Sequence, residues 1–260
     1  MIEFLKKLRT NKPPVATGGK DFEQALYNFN DKLRDHENFS LARYGDGEMR
    51  VIIGDPIDLS EKCNGEHKYI PGDADSERQR ALLQQALVYQ NPSYFVGIAC
   101  PCCVGEEKFF NLKRQSKQPE EQLTWANILV NANYQRFKTT TTALIGQRDV
   151  SLICHQNANS EGLPFAVQHT FRVGANAWMA DYERLLPEIK SYIESQKIKN
   201  HVFLFCAGVL SNILIYELHR AYPDNTYLDI GSVFDVELGL GKTRKYLKKG
   251  KTLRRTCVWK

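Results

Sequence analysis

"LARYGDGEMR", residues 41–50, joins a short apolar run to a glycine-bearing turn with one arginine and two carboxylates. "FSLARY" (39–44) reads as a strand, and "GDGE" ends it. "EMRVII" beyond it reads as a helix start or as a second extended piece. Further along the chain the same theme returns. "YFVGIA" (94–99) is a buried strand stopped by "CPCCVG". "TALIG" (142–146), "VSLIC" (150–154) and "HVFLFCAG" (201–208) are apolar runs suited to strands covered on both faces, and "NTYLDIG" (225–231) is a final strand.

Helical spacing fills the intervals. "DFEQALYNFNDKLRDHE" places Phe22, Ala25, Leu26, Phe29 and Leu33 on one face behind Asp21 as cap. "DSERQRALLQQALVYQ" is a helix capped by Asp75 or Ser76. "PEEQLTWANILVNANYQRF" (119–137) reads as a helix with Pro119 in its first turn. "ANAWMADYERLLPEIKSYIESQ" and "VLSNILIYELHRAY" complete the set. Strand and helix alternate, which predicts an α/β, Rossmann-like open and mostly parallel sheet flanked by helices. Residues 1–19 read as an irregular lead-in, 20–246 as a single α/β domain, and 247–260 as a basic C-terminal tail.

The totals bound the classes. The chain has 260 residues, 42% hydrophobic and 25% charged, enough for one substantial core. No apolar run approaches the ~20 residues that span a bilayer, and the N-terminal apolar stretch is too short for a signal peptide, so a cytoplasmic protein is expected. The net charge of +5 is concentrated in the last twenty residues, which carry nine Lys and Arg and no acid, leaving the first 240 at about −4. Such a tail suits phosphates or an anionic lipid surface, and allows peripheral contact with the inner face of the membrane. No RNA-recognition aromatic signature accompanies it, so nucleic acid is an unlikely partner. Seven cysteines, an odd number, argue against a disulfide framework. "CPCC" (100–103) is the metal-like grouping, but no second C-x-x-C pair exists, and only Cys63 and His67 stand as further candidate ligands. The cysteines are therefore expected to be reduced, partly buried thiols.

In open α/β sheets, ligands lie beyond the carboxyl ends of the strands. Three such ends carry unusual chemistry. In the first, Asp46 and Glu48 stand at i and i+2. On an extended segment both point to one side and suit Mg²⁺ or Mn²⁺ with substrate phosphates. Gly45 and Gly47 admit a phosphate closely, and Arg43 offers a fork for it. The competing account is helix capping by Asp46, with Glu48 in the first turn. In the second, "FCAGVLSN" (205–212) leads a strand through small residues into a helix N-terminus able to hold an anion, or simply makes a tight packing turn. The third, "YLDIGSVFDVELGLGKTRKY" (227–246), offers Asp229 and Asp235 as bases, and Lys242 and Arg244 to neutralise a leaving phosphate. The competing account there is a solvated loop of mixed charge. His155 and His169 are further candidate acid or base groups.

Together "FSLARYGDGEMRVI", "FLFCAGVLSNILIYELHR" and "NTYLDIGSVFDVELG" resemble the GT-D type glycosyltransferases, a family first catalogued as a bacterial domain of unknown function. The resemblance implies a Rossmann-like domain transferring a sugar from a nucleotide-sugar donor, with a UDP-sugar favoured, to a glycan, lipid-linked glycan or glycoprotein acceptor. It implies a divalent cofactor, Mn²⁺ or Mg²⁺, held by Asp46 and Glu48. It places Arg43, Tyr44, Gly45, Gly47, Ala207, Gly208, Ser211, Asn212, Ser232, Lys242 and Arg244 at the donor, with Asp229 and Asp235 as candidate catalytic groups. Where the family commonly reads Asp-Ile-Gly-His, this chain has Ser232. The competing functions are another metal-dependent phosphate-handling enzyme, such as a phosphohydrolase or nucleotidyltransferase, and a non-enzymatic nucleotide- or polyanion-binding module led by the tail.

Overall fold

Five apolar runs have no polar alternation because water reaches neither of their faces, and they form the middle of the sheet. The computed structural model describes residues 20–58, 68–248 and 255–260. Its strands are β1 (Ser40–Tyr44), the two-residue pieces β2 (Ile57–Asp58) and β3 (Lys68–Tyr69), β4 (Tyr94–Ile98), β5 (Leu123–Trp125), β6 (Val150–His155), β7 (His169–Val173), β8 (Val202–Phe205) and β9 (Thr226–Asp229). Seven of them form one sheet in the order β5-β4-β1-β9-β8-β6-β7, every pairing parallel, while β2 and β3 pair antiparallel apart from it. The expected open parallel α/β sheet is the fold observed. β8 shows the cause: all four residues of Val202–Phe205 are sealed from solvent.

The principal helices are α1 (Phe22–Arg34), α2 (Asp46–Ile53), α3 (Ala74–Val88), α4 (Pro101–Val104), α5 (Glu106–Ser116), α6 (Ala177–Gln196), α7 (Val209–Ala221) and α8 (Lys245–Lys248). Asp21 caps α1, accepting from Gln24 N at 2.7 Å. α3 is capped earlier than expected, by Asp73, which accepts from Ser76 N at 2.9 Å. α7 is buried nearly all round, from Val209 through Leu218, because it lies on β1 and β9 beneath α3 and α6. None of the helices among the described residues is long and apolar enough to cross a membrane.

Two expected elements change type. The helix expected over 119–137 is instead a 3₁₀ turn (Glu120–Gln122), then β5, then short turns from Asn131. Leu123 and Trp125 gain more by burial beside β4 than by helical continuation, and Thr124 pairs with Gly97. "TALIG" is helical, Thr142–Ile145, following a π-turn at Phe137–Thr141. β7, an edge strand with half-buried polar positions, had no clear sequence signal.

The tail also differs from a solvated appendage over its last six residues. Trp259 is fully buried, 5.0 Å from the Trp125 ring and 5.2 Å from Phe109. Trp125 Nε1 donates to Val258 O at 3.2 Å, and Ala132 N to Arg255 O at 3.0 Å. Burying an aromatic ring of this size contributes about 2–3 kcal/mol. Cys63, His67 and the basic residues 249–254 lie outside the described residues.

Candidate active site

The first strand and the last lie side by side at the middle of the sheet, and their carboxyl ends face the same crevice. β1 delivers Arg43 and β9 delivers Asp229. Arg43 Nη2 donates to Asp229 Oδ1 at 3.2 Å, Nη1 donates to Ala126 O at 3.0 Å, and the buried Nε has no protein acceptor. Asp229 also accepts from Gly231 N at 2.9 Å. Gly231 has φ +51°, and a Cβ there would come within 2.4 Å of Arg43 Nη2, so glycine is required by both backbone and neighbour. Burial raises the Asp229 carboxyl above its usual range, against the opposing pull of Arg43.

The turn after β1 resolves into α2. Gly45 is the N-cap, so Asp46 is not the cap but the first helical residue, and it is exposed. Glu48 closes the capping box: its Oε2 accepts from Gly45 N at 2.9 Å. On a helix, positions i and i+2 diverge, so the two carboxylates do not share one side as an extended segment would place them. Glu48 turns inward toward Asp229. Loss of hydration, and then the Asp229 charge, push its carboxyl up to about 7, although Gly45 N–H favours the ionised form. Gly47 has open space where a side chain would be.

The second strand end is a scaffold as much as a binding surface. Ser211 is fully buried, its Oγ accepting from Ala207 N at 3.0 Å. Asn212, also fully buried, clamps the Arg43 peptide: Arg43 N donates to Oδ1 and Nδ2 donates to Arg43 O, both at 3.0 Å. Tyr44 is fully buried, its hydroxyl directed to Leu83 O at 3.4 Å. These three side chains are buried and hydrogen-bond to the protein's own backbone, behind the crevice. Ala207 is nearly buried, whereas Gly208, with φ +55° at the N-cap of α7, borders open space.

The third segment folds back over the crevice. Ser232 Oγ and Tyr246 Oη lie 2.8 Å apart, and Asp235 accepts from the Thr243 hydroxyl. Lys242 and Arg244 are exposed on the same stretch. Tyr246 stands within electrostatic reach of Arg43, Asp235 and Arg244, and its burial raises the phenol pKa. Sequence reasoning missed Tyr246 because it sits inside a basic run, and missed Ala126 because only its carbonyl acts. His155 ends β6, two strands from β9, and its Nδ1 accepts from Asn157 N. His169 begins β7, at the opposite edge of the sheet, stacked 4.5 Å from Tyr192.

Among the described residues, Asp46, Glu48 and Asp229 do not converge as a ready-made cage of three ligands. All three carry carboxylate oxygens, the ligand type that a hard divalent ion takes. Glu48 and Asp229 are inward-facing carboxylates, both raised by desolvation, with Arg43 as the paired cation.

No protein-family model and no curated protein matches the chain. Solved structures do. One is the domain of unknown function 1792, described as highly conserved with a distinct glycosyltransferase fold, at TM-score 0.54 and 18% identity, covering 81% of this chain and 79% of that one. A selenomethionine-substituted structure of domain 1792 matches at TM-score 0.52 and 16% identity, with the same coverage. The chain thus has an α/β fold similar to the glycosyltransferase fold of domain 1792, as its three quoted segments led us to expect.

Proposed function

We propose that the chain is a glycosyltransferase that moves a sugar from a nucleotide-sugar donor to an acceptor hydroxyl on a glycan, lipid-linked glycan or glycoprotein. The observation that carries this reading is the meeting of Arg43, Glu48 and Asp229 at the carboxyl ends of β1 and β9, in a fold similar to a glycosyltransferase fold. Arg43, with an unpartnered Nε, binds and orients the donor diphosphate, and Gly47 and Gly208 leave room for its oxygens. Glu48, turned inward beside Asp229, would hold Mn²⁺ or Mg²⁺ directly, and Asp46, exposed on the diverging side of the same helical turn, would reach the ion through water. When bound, the ion supplies electrostatic stabilisation to the departing diphosphate.

Asp229 is committed to Arg43 and Gly231 N–H, so it fixes the arginine. Asp235 takes the proton of the acceptor hydroxyl as that oxygen bonds to the anomeric carbon. The bond from that carbon to the donor phosphate oxygen breaks, and its electron pair leaves with the nucleoside diphosphate. Lys242 and Arg244, exposed beside Tyr246, add positive charge along the exit.

Titration with UDP, GDP, CDP and dTDP, with and without Mn²⁺, tests this on wild type and on Asp46→Ala combined with Glu48→Ala. We expect metal-dependent affinity for one of them, weakened roughly tenfold or more in the variant. Binding that ignores both metal and variant would remove the metal-site reading. A parallel screen of nucleotide-sugars for sugar release separates a transferase from a phosphohydrolase, which would cleave simple phosphate esters instead.

A further inference from the structure

The CPCC turn does not stand alone. Cys257, far away in sequence, returns to it, and the Sγ atoms of Cys100, Cys102, Cys103 and Cys257 all lie within 4.8 Å of one another. We propose that these four cysteines form a structural zinc site that pins the C-terminal segment to the sheet beside the active site.

Four thiolates around one zinc at about 2.3 Å are separated by about 3.8 Å along the edges of the tetrahedron. The observed sulfur separations, from 2.8 Å for Cys100–Cys102 and 3.3 Å for Cys100–Cys103 up to 4.8 Å, bracket that value. Cys100 and Cys103 supply the C-x-x-C half, shaped by Cys103 N donating to Cys100 O at 2.9 Å.

Amide donors surround the sulfurs. Asn127 Nδ2 donates to Cys257 Sγ at 3.2 Å and to Cys103 Sγ at 3.4 Å, and Asn131 Nδ2 donates to Cys257 Sγ at 3.3 Å. Amide donors aimed at sulfur suit a charged ligand sulfur, and such partners orient metal ligands. Arg255 bonds to Cys102 O and brings a positive charge alongside the cluster. Among the described residues the group holds only thiols, with no carboxylate or histidine, so the set is soft and selects zinc over magnesium or calcium.

Four protein ligands leave no open position for substrate, which makes the role structural. Its consequence for the active site is local. Asn127, which bonds to the cluster, follows directly after Ala126, whose carbonyl receives Arg43 Nη1. Zinc on one side of this short segment therefore steadies the arginine on the other. This inference is independent of the transferase reading.

The test is metal analysis of the full chain purified under reducing conditions from zinc-supplemented medium. We expect one equivalent of zinc, released by a mercurial and detected with a colorimetric chelator. Replacement by Co²⁺ should give the thiolate charge-transfer bands of a tetrahedral cobalt site. Cys257→Ser, and separately the exposed pair Cys102→Ser with Cys103→Ser, should lower zinc content by roughly tenfold or more. Cys154→Ser, buried elsewhere beside Arg172, should retain it. The exposed pair keeps the test valid where Cys257→Ser fails to fold. Wild type free of zinc, iron in its place, a disulfide within the four, or full zinc in the exposed-pair variant would each overturn the proposal.

Discussion

Glu48 is the residue at which stability and function pull apart. Its carboxyl, pushed up to about 7 from 4.5 in the unfolded chain, is costly to ionise in the folded state. Above pH 7 both states are ionised and the folded state bears the full cost. Between 7 and 4.5 the folded group is protonated first, so the cost fades as pH falls. Glu48→Gln keeps an acceptor for Gly45 N–H and removes the charge. In metal-free buffer the variant should be more stable at pH 8 by on the order of 1–2 kcal/mol, with the gap closing by pH 4.5, as read by urea denaturation. The same variant should lose Mn²⁺-dependent nucleotide binding. A destabilised variant at pH 8 would contradict the electrostatic account. The sequence named this residue and its partner Asp46 and left a helix start and an extended turn both open, because spacing alone does not distinguish them. The helix start is what forms, with Gly45 rather than Asp46 as its cap.

Among elements, the contact of α7 with β1 carries most of the site's precision. Asn212 supplies both a donor and an acceptor to the Arg43 peptide, in place of the strand neighbour missing at that level, since the β1–β9 pairing covers Ser40 and Leu41. Asn212→Ala leaves a buried N–H and C=O without partners and should cost about 2–4 kcal/mol in urea denaturation. It should also weaken nucleotide binding, because the end of β1 is released. Unchanged stability would mean that water or a shift of α7 replaces the amide. The sequence signalled α7 clearly through its apolar run, yet its buried Ser211 and Asn212 looked like ligand-facing groups. Chemistry at a helix N-terminus reads the same whether it serves a phosphate or the adjoining strand. β5 and β7 were illegible for a different reason. β5 is buried along its whole length but spans only three residues, too short to form an apolar run, whereas the edge strand β7 carries half-buried His169, Thr170 and Arg172 in place of two-faced burial.

At the scale of the whole molecule, two imidazoles are sealed into the core. His219 faces Ser40 Oγ at 2.7 Å, and His201 faces Ser151 Oγ at 2.9 Å. Burial lowers both to about 4. Above pH 6.5 neither state is charged and they contribute no pH dependence. Between 6.5 and 4 the unfolded chain takes up protons that the folded one refuses, so stability declines with falling pH by up to about 3 kcal/mol per histidine. Urea midpoints at pH 7, 5.5 and 4.5 should fall in that order, and His219→Phe should flatten the slope. An identical slope in the variant would locate the acid sensitivity in the carboxylates. The overall architecture was legible because strand and helix alternate along most of the chain. The return of Cys257 and Trp259 was not, since neither has any local pattern that names its distant neighbour.

The strand order has a consequence for how this chain is made. β5-β4-β1 and β8-β6-β7 are two three-stranded halves, and β9 alone joins them. During synthesis both halves emerge before β9 does, each with an unpaired inner edge, at β1 and at β8. Those edges are lined with Leu41, Phe203 and Leu204 and invite pairing with another chain. The nascent protein is therefore most prone to aggregation in the interval before Thr226–Asp229 leaves the ribosome. Insertion of that one strand closes the sheet and sets Asp229 against Arg43 in the same event.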